Sequence, residues 1–151
     1  MIRALLLVCV FCSTTVQALA LGPCRQALAL ALDVSGSVDS REYRLQLDGL
    51  AAALQNPDVS EALLSMPGTP VRLTVFEWSG PQDQITLLPW TAITAKAALN
   101  QITAQLKATQ RTTPTEQSTG LGAAMLYGAK LLSQQTDCWV RTLDDSGDGK
   151  A

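Results

Sequence analysis

The stretch that most constrains the fold is residues 27 to 37, Ala-Leu-Ala-Leu-Ala-Leu-Asp-Val-Ser-Gly-Ser. A chargeless apolar run that ends abruptly in polar turn residues reads as a strand buried on both faces. Such strands belong to parallel sheets. Asp33, Ser35 and Ser37 then set three oxygen-bearing side chains at i, i+2 and i+4 beyond the strand's carboxyl end. In open α/β sheets ligands bind at that end. Carboxylate and hydroxyl oxygens together suit a hard divalent cation.

The elements that follow fit that frame. The first strand is expected over 27–34. Asp39, with Glu42 three residues on, forms a capping-box pattern that starts a helix. Tyr43, Leu47, Leu50 and Leu54 recur on one face of it, and Asn56-Pro57 ends it. Arg41, Arg44 and Asp48 read as solvated charge. A short helix is expected over 58–65, before the Pro67-Gly68 turn. Residues 71–78 are β-branched and aromatic and read as a second strand. After Gly80-Pro81, residues 85–88 read as a short antiparallel edge strand. Thr94 is expected to cap a helix with Ala95, Ala98, Leu99, Ile102 and Leu106 inward. Residues 108–118 form a polar loop. Thr119 opens a further helix with Leu121, Ala124, Met125, Gly128 and Leu132 inward, and 139–143 form a fourth strand. This alternation predicts an α/β, doubly wound, mostly parallel sheet with helices on both faces. Glu77 is expected near the rim and solvated; Trp78, Trp90 and Trp139 are expected to pack.

Charge and residue types remove several functions. The net charge is −2, with no basic cluster, which argues against nucleic acid. The chain has no histidine, so it holds neither a Ser-His-Asp nor a Cys-His catalytic set, nor a His-ligated zinc.

Residues 1–20 read as a signal peptide. Arg3 gives the positive start, Ala4 to Cys12 the apolar stretch, and Ala18-Leu19-Ala20 the small-x-small cleavage pattern. The apolar stretch is too short for an ordinary membrane span. An uncleaved anchor, or a lipid anchor at Cys24, ranks below cleavage near Leu21. The mature domain then covers 21–151, exported to the periplasm or secreted. Export favours a disulfide between the two remaining cysteines, Cys24 and Cys138. Each precedes a terminal Asp by nine or ten residues, which sets both at the amino-terminal edge of neighbouring parallel strands.

Two further segments point to the same rim as Asp33-Val34-Ser35-Gly36-Ser37: Thr119-Gly-Leu-Gly-Ala-Ala-Met, and the run Asp144-Asp145-Ser146-Gly147-Asp148-Gly149. Together these resemble the von Willebrand factor A domain, with its Asp-x-Ser-x-Ser metal-ion-dependent adhesion site. The opening DVSGSVD, with FEWSG and DDSGDG, is more narrowly similar to a bacterial group of exported A-domain-like proteins of unknown function. The resemblance spans about 24–151 and lacks the family's last strands and helices, so the domain is expected to be incomplete. It implies Asp33, Ser35, Ser37, Thr119 and Asp148 as metal residues, with Asp144 as the alternative to Asp148. It implies Mg²⁺ or Mn²⁺ ahead of Ca²⁺. Function is then capture of an Asp or Glu of a partner protein by the cation, not catalysis. A metal-dependent hydrolase, an inactive fragment, and a calcium loop beginning at Asp144 rank below this reading.

Overall fold

The structure, a computed structural model, describes residues 22–146. The expected signal peptide and Asp148 lie outside the described residues. Eight elements follow in order. They are β1 (Cys24–Asp33), α1 (Ser40–Gln55), α2 (Pro57–Leu64), β2 (Val71–Trp78), β3 (Gln84–Ile93), α3 (Lys96–Ala108), α4 (Leu121–Ser133) and β4 (Cys138–Ser146). The sheet runs β3-β2-β1-β4. β1 is parallel to β2 and to β4, and β3 is antiparallel to β2. The α/β sheet with helices on both faces is therefore the expected one.

The apolar run of β1 carries a finer pattern than its hydrophobicity alone. Leucine and alanine alternate, and a strand's period of two sorts them onto opposite faces. Leu28, Leu30 and Leu32 pack with Leu73 and Val75 of β2 against Leu47 of α1 and Leu99, Ile102 and Leu106 of α3. Ala29 and Ala31 lie on the other face with Phe76, Trp78 and Ala124 of α4. The small alanines leave room for α4 and for the two large aromatic rings. Gly128 of α4 sits so close to β4 that a Cβ there would meet Leu143 at 2.7 Å. No helix among the described residues is long and apolar enough to cross a membrane.

The capping box of α1 is present in full: Asp39 accepts from the Arg41 and Glu42 amides, and Glu42 accepts from the Asp39 amide. Arg44 pairs with Asp48 at 3.2 Å but also donates to the Thr109 and Leu106 carbonyls, so it ties α1 to α3 rather than standing in solvent. β3 runs on to Ile93, five residues past its expected end, through Pro89. Its pairing with β2 slips between Leu73 and Val75, which leaves Pro89 in a bulge on an edge strand, where its missing N–H is tolerated. Two expected caps are corrected. The N-cap of α3 is Ala95 and that of α4 is Gly120, neither with a side-chain bond. On α4, Leu121 and Met125 are 43% and 55% exposed, and Trp139 on β4 is 63% exposed, so these three do not pack inward as expected. β4 is the edge of the described sheet, with nothing described beyond it to cover them.

The amino-terminal edge is fastened twice. Cys24 and Cys138 are register partners in β1 and β4 and form the expected disulfide. Beside it, buried Arg72 holds Asp137 with two parallel bonds of 2.7 and 2.9 Å and donates to Gln135. The bridge closes a separation of 114 residues. In the chain-entropy account such a loop contributes about 4–5 kcal/mol, and native bridges typically less. The double variant Cys24→Ser, Cys138→Ser is therefore expected to lose about 2–5 kcal/mol of unfolding free energy in urea titration. An unchanged midpoint would contradict the bridge's structural role.

Candidate functional site

At the opposite edge, β1 ends in a buried carboxylate. Asp33 is 1% exposed. Its Oδ1 accepts from the Ser35 amide at 2.8 Å, while its Oδ2 has no hydrogen-bond partner among the described residues. Ser35 is buried and Ser37 exposed, and their hydroxyls lie 3.4 Å apart. The loop is fixed at both ends: the Val34 amide donates to Trp78 O at 2.8 Å, and the Val38 amide turns back to Ser35 O.

A second loop, 109–120, is seated against the first. The Gly36 amide donates to Gln117 O at 3.0 Å, and a Cβ on Gly36 would come within 3.0 Å of that same oxygen. A side chain at 36 would push the loops apart. Ser79 Oγ donates to Glu116 O at 2.7 Å, and the Gly120 amide donates to Ser79 O at 2.7 Å. Gly120 is equally constrained, since a Cβ would fall 2.9 Å from Ser79 O. Asp83 accepts from the Thr115 hydroxyl and the Glu116 amide. These bonds hold its carboxyl below the usual range, the Thr115 bond first. Arg111 donates to Val38 O at 2.6 Å. Thr119 is exposed, between the two residues bonded to Ser79, Ser118 and Gly120, and two positions from Gln117. The structure thus brings Asp33, Ser35, Ser37 and the segment of Thr119 to one rim.

The end of β4 arrives there too, through a residue that the sequence reading passed over. Asp145, not Asp144, shares a cavity with Asp33. Its side chain crosses above the small Ala31, its register partner, and its Oδ1 accepts from Trp78 Nε1 at 2.9 Å. Burial raises the Asp145 pKa, the Trp78 bond lowers it, and the charges of Asp33 and Asp144 raise it further. Asp144 is exposed, opposite Leu30. The missed signal was the period of two: Leu143 faces α4, so Asp145 shares its face.

Glu77 is a correction. It is 2% exposed rather than solvated. The Tyr43 hydroxyl donates to it at 3.1 Å, and Arg111 lies over the Tyr43 ring, 5.7 Å from its centroid. Burial raises the Glu77 pKa, against the opposing Tyr43 bond and Arg111 charge. The Tyr43 pKa is raised as well, by burial first and then by Glu77. A raised folded-state pKa means that the native protein holds the Glu77 proton longer than the unfolded chain does. Glu77's contribution to stability is then fully present below pH 4.5, its ordinary value, and is lost as pH rises through the folded value. Glu77→Gln is expected to remove that fall: the variant's urea midpoint should gain on the parent's as pH rises above 4.5. Parallel pH profiles for the two proteins would contradict the burial argument.

Comparison with known proteins agrees with this architecture. Among solved structures, the fold is similar to the vWF domain of the type V pili tip protein Mfa5 from Porphyromonas gingivalis. The TM-score is 0.52 at 14% identity, covering 84% of this chain and 38% of that one. A structure of three N-terminal domains of Mfa5 gives 0.52 at 12%, covering 85% of this chain and 20% of that one. The pilus adhesin SpaC from Lactobacillus rhamnosus GG gives 0.51 at 16%, covering 85% and 16%. The chain spans well under half of each of these structures, and at such identities the likeness speaks for the fold. No curated protein matches the chain. The fold is vWA-like, and residues 23–151 match one family along their whole length: the chain belongs to the family described as Protein of unknown function (DUF1194).

Proposed function

We propose that this chain is an exported protein-binding module whose rim takes Mg²⁺ or Mn²⁺ and, through the cation, an Asp or Glu of a partner. The observation that carries the reading is Asp33 Oδ2: a carboxylate oxygen on a side chain 1% exposed, without a hydrogen-bond donor among the described residues. Burying such a group unpaired costs several kcal/mol, which a cation or its bound water offsets. The neighbouring donors suit a hard cation: two hydroxyls 3.4 Å apart, a threonine-bearing loop against them, and no third-row or imidazole ligand required. Among the described residues no cluster of three Asp, Glu, His or Cys side chains forms a cation cage. A site built here depends on hydroxyls and keeps coordination positions for an outside ligand.

In this reading Ser35 and Ser37 bind through their hydroxyls and Thr119 binds directly or through water. Asp33 holds water and keeps the Ser35 loop in place through its amide bond. Asp148 completes the set, with Asp144 as the alternative; Asp145, beside Asp33, adds charge. The cation supplies Lewis acidity toward a carboxylate oxygen. The rim is read as binding rather than catalytic, because its hydroxyls, those of Ser35 and Ser37, lie against each other at 3.4 Å.

Export is supported by the Cys24–Cys138 bridge, which persists in oxidising compartments. The binding reading is supported by the printed identities of the similar folds, a pilus tip protein and a pilus adhesin. Asp33→Ala is expected to abolish Mg²⁺ and Mn²⁺ binding in titration calorimetry, with circular dichroism and the disulfide unchanged. Equal binding by the variant, or no heat from a folded parent, would overturn the proposal.

A further inference from the structure

Buried oxygens that lack donors are concentrated in one place. Among the described residues they include Asp33 Oδ2, Asp145 Oδ2 and Gln46 Oε1. All three residues line a single cavity of about 460 Å³ between α1 and the end of β4. Gln46 is held there by its other end, since its Nε2 donates to Asp33 O at 3.0 Å. The rest of the lining is Val38, Leu45, Ser146 and Glu42, whose Oε2 already accepts from the Asp39 amide. Among the described residues three carboxylates therefore face this space and no lysine or arginine lines it. Next to it, a cavity of about 340 Å³ shares Leu45, Gln46 and Ser146 and continues along Leu30, Leu32 and Leu50, with Asp144 at its margin.

The chemistry of this space differs from that of the hydroxyl rim. Its unpaired groups are all acceptors, so an occupant must bring donors. It is too wide and too apolar on the Val38 and Leu45 side for a bare cation that needs a close oxygen shell. A side chain with an apolar stem and a cationic head meets both requirements: the stem lies along the leucines and the head reaches Asp145 and Gln46, with Asp33 left to the rim. We propose that the cavity between α1 and β4 binds a lysine or arginine side chain of a protein partner, beside the rim that takes the partner's carboxylate. The inference rests on the protein-binding reading, but not on the cation.

The experiment is an NMR titration of the full chain, with EDTA present, using N-acetyl-lysine amide and N-acetyl-norleucine amide as probes. The lysine probe is expected to give saturable shifts at Gln46 and Asp145, and the norleucine probe none. Asp145→Asn combined with Gln46→Leu is expected to weaken the lysine probe about tenfold, the effect of losing a charge-assisted contact. Should that variant fail to fold, Glu42→Gln, which keeps the capping box, is expected to weaken the probe in the same direction. Asp33 is untouched and divalent ions are absent, so a negative result here leaves the cation reading standing, and a positive result stands without it. Equal shifts from norleucine would reduce the cavity to an apolar groove and overturn the proposal. So would unchanged affinity in the variants. Tighter probe binding by Lys150→Ala would assign the cavity to the chain's own lysine instead of a partner's.

Discussion

The parallel pairing of β1 with β4 is the constraint on which the rest depends. One register joins Cys24 to Cys138 at one end and Leu32 to Ser146 at the other. The disulfide fixes the first end, and the same ladder delivers Asp33, nine residues after Cys24, and Asp145, seven after Cys138, to a shared cavity. A slip of one residue would turn Asp145 to the other face and break its bond to Trp78. The covalent bridge thus acts on the rim at a distance, by setting the register.

Around that axis the alternation of leucine and alanine in β1 decides how closely each layer approaches. The leucine face supports α1 and α3 through a broad apolar core. The alanine face admits Trp78, Phe76 and α4. Trp78 then serves two ends: its ring fills the core, and its Nε1 holds a carboxylate of β4 at the rim. The loops above are seated by backbone bonds and by glycines at close approaches, Gly36 against Gln117 and Gly120 against Ser79. Rigid seating matters for a carboxylate that stays buried without a donor.

Much of this was legible in the sequence, for physical reasons that differ by element. β2 was recoverable to the residue because β-branched and aromatic residues are bounded by Pro70 and Ser79-Gly80. The capping box of α1 was recoverable because its two hydrogen bonds need residues at a fixed spacing. The disulfide followed from parallel geometry. β3 runs past its expected end because Pro89 falls in a bulge on an edge strand, which only the pairing shows. Thr94 and Thr119 looked like caps, yet the helices begin after Ala95 and Gly120. At Gly120 the requirement is close approach to Ser79, which no propensity encodes. Glu77 was misread because nothing local signals its burial against Tyr43, 34 positions away. Asp145 was passed over in favour of its neighbours because three aspartates in five positions look interchangeable until a strand's parity separates them.

The central claim is that Ser35, Ser37 and the Thr119 loop form one coordination rim with the buried Asp33 behind it. Anomalous diffraction from crystals grown with Mn²⁺ tests this most directly. The account expects a single strong peak within about 2.0–2.2 Å of the Ser35 and Ser37 hydroxyls, the distance of a hard octahedral cation. A peak only elsewhere on the surface, or none at saturating Mn²⁺ with the loop intact, would contradict it.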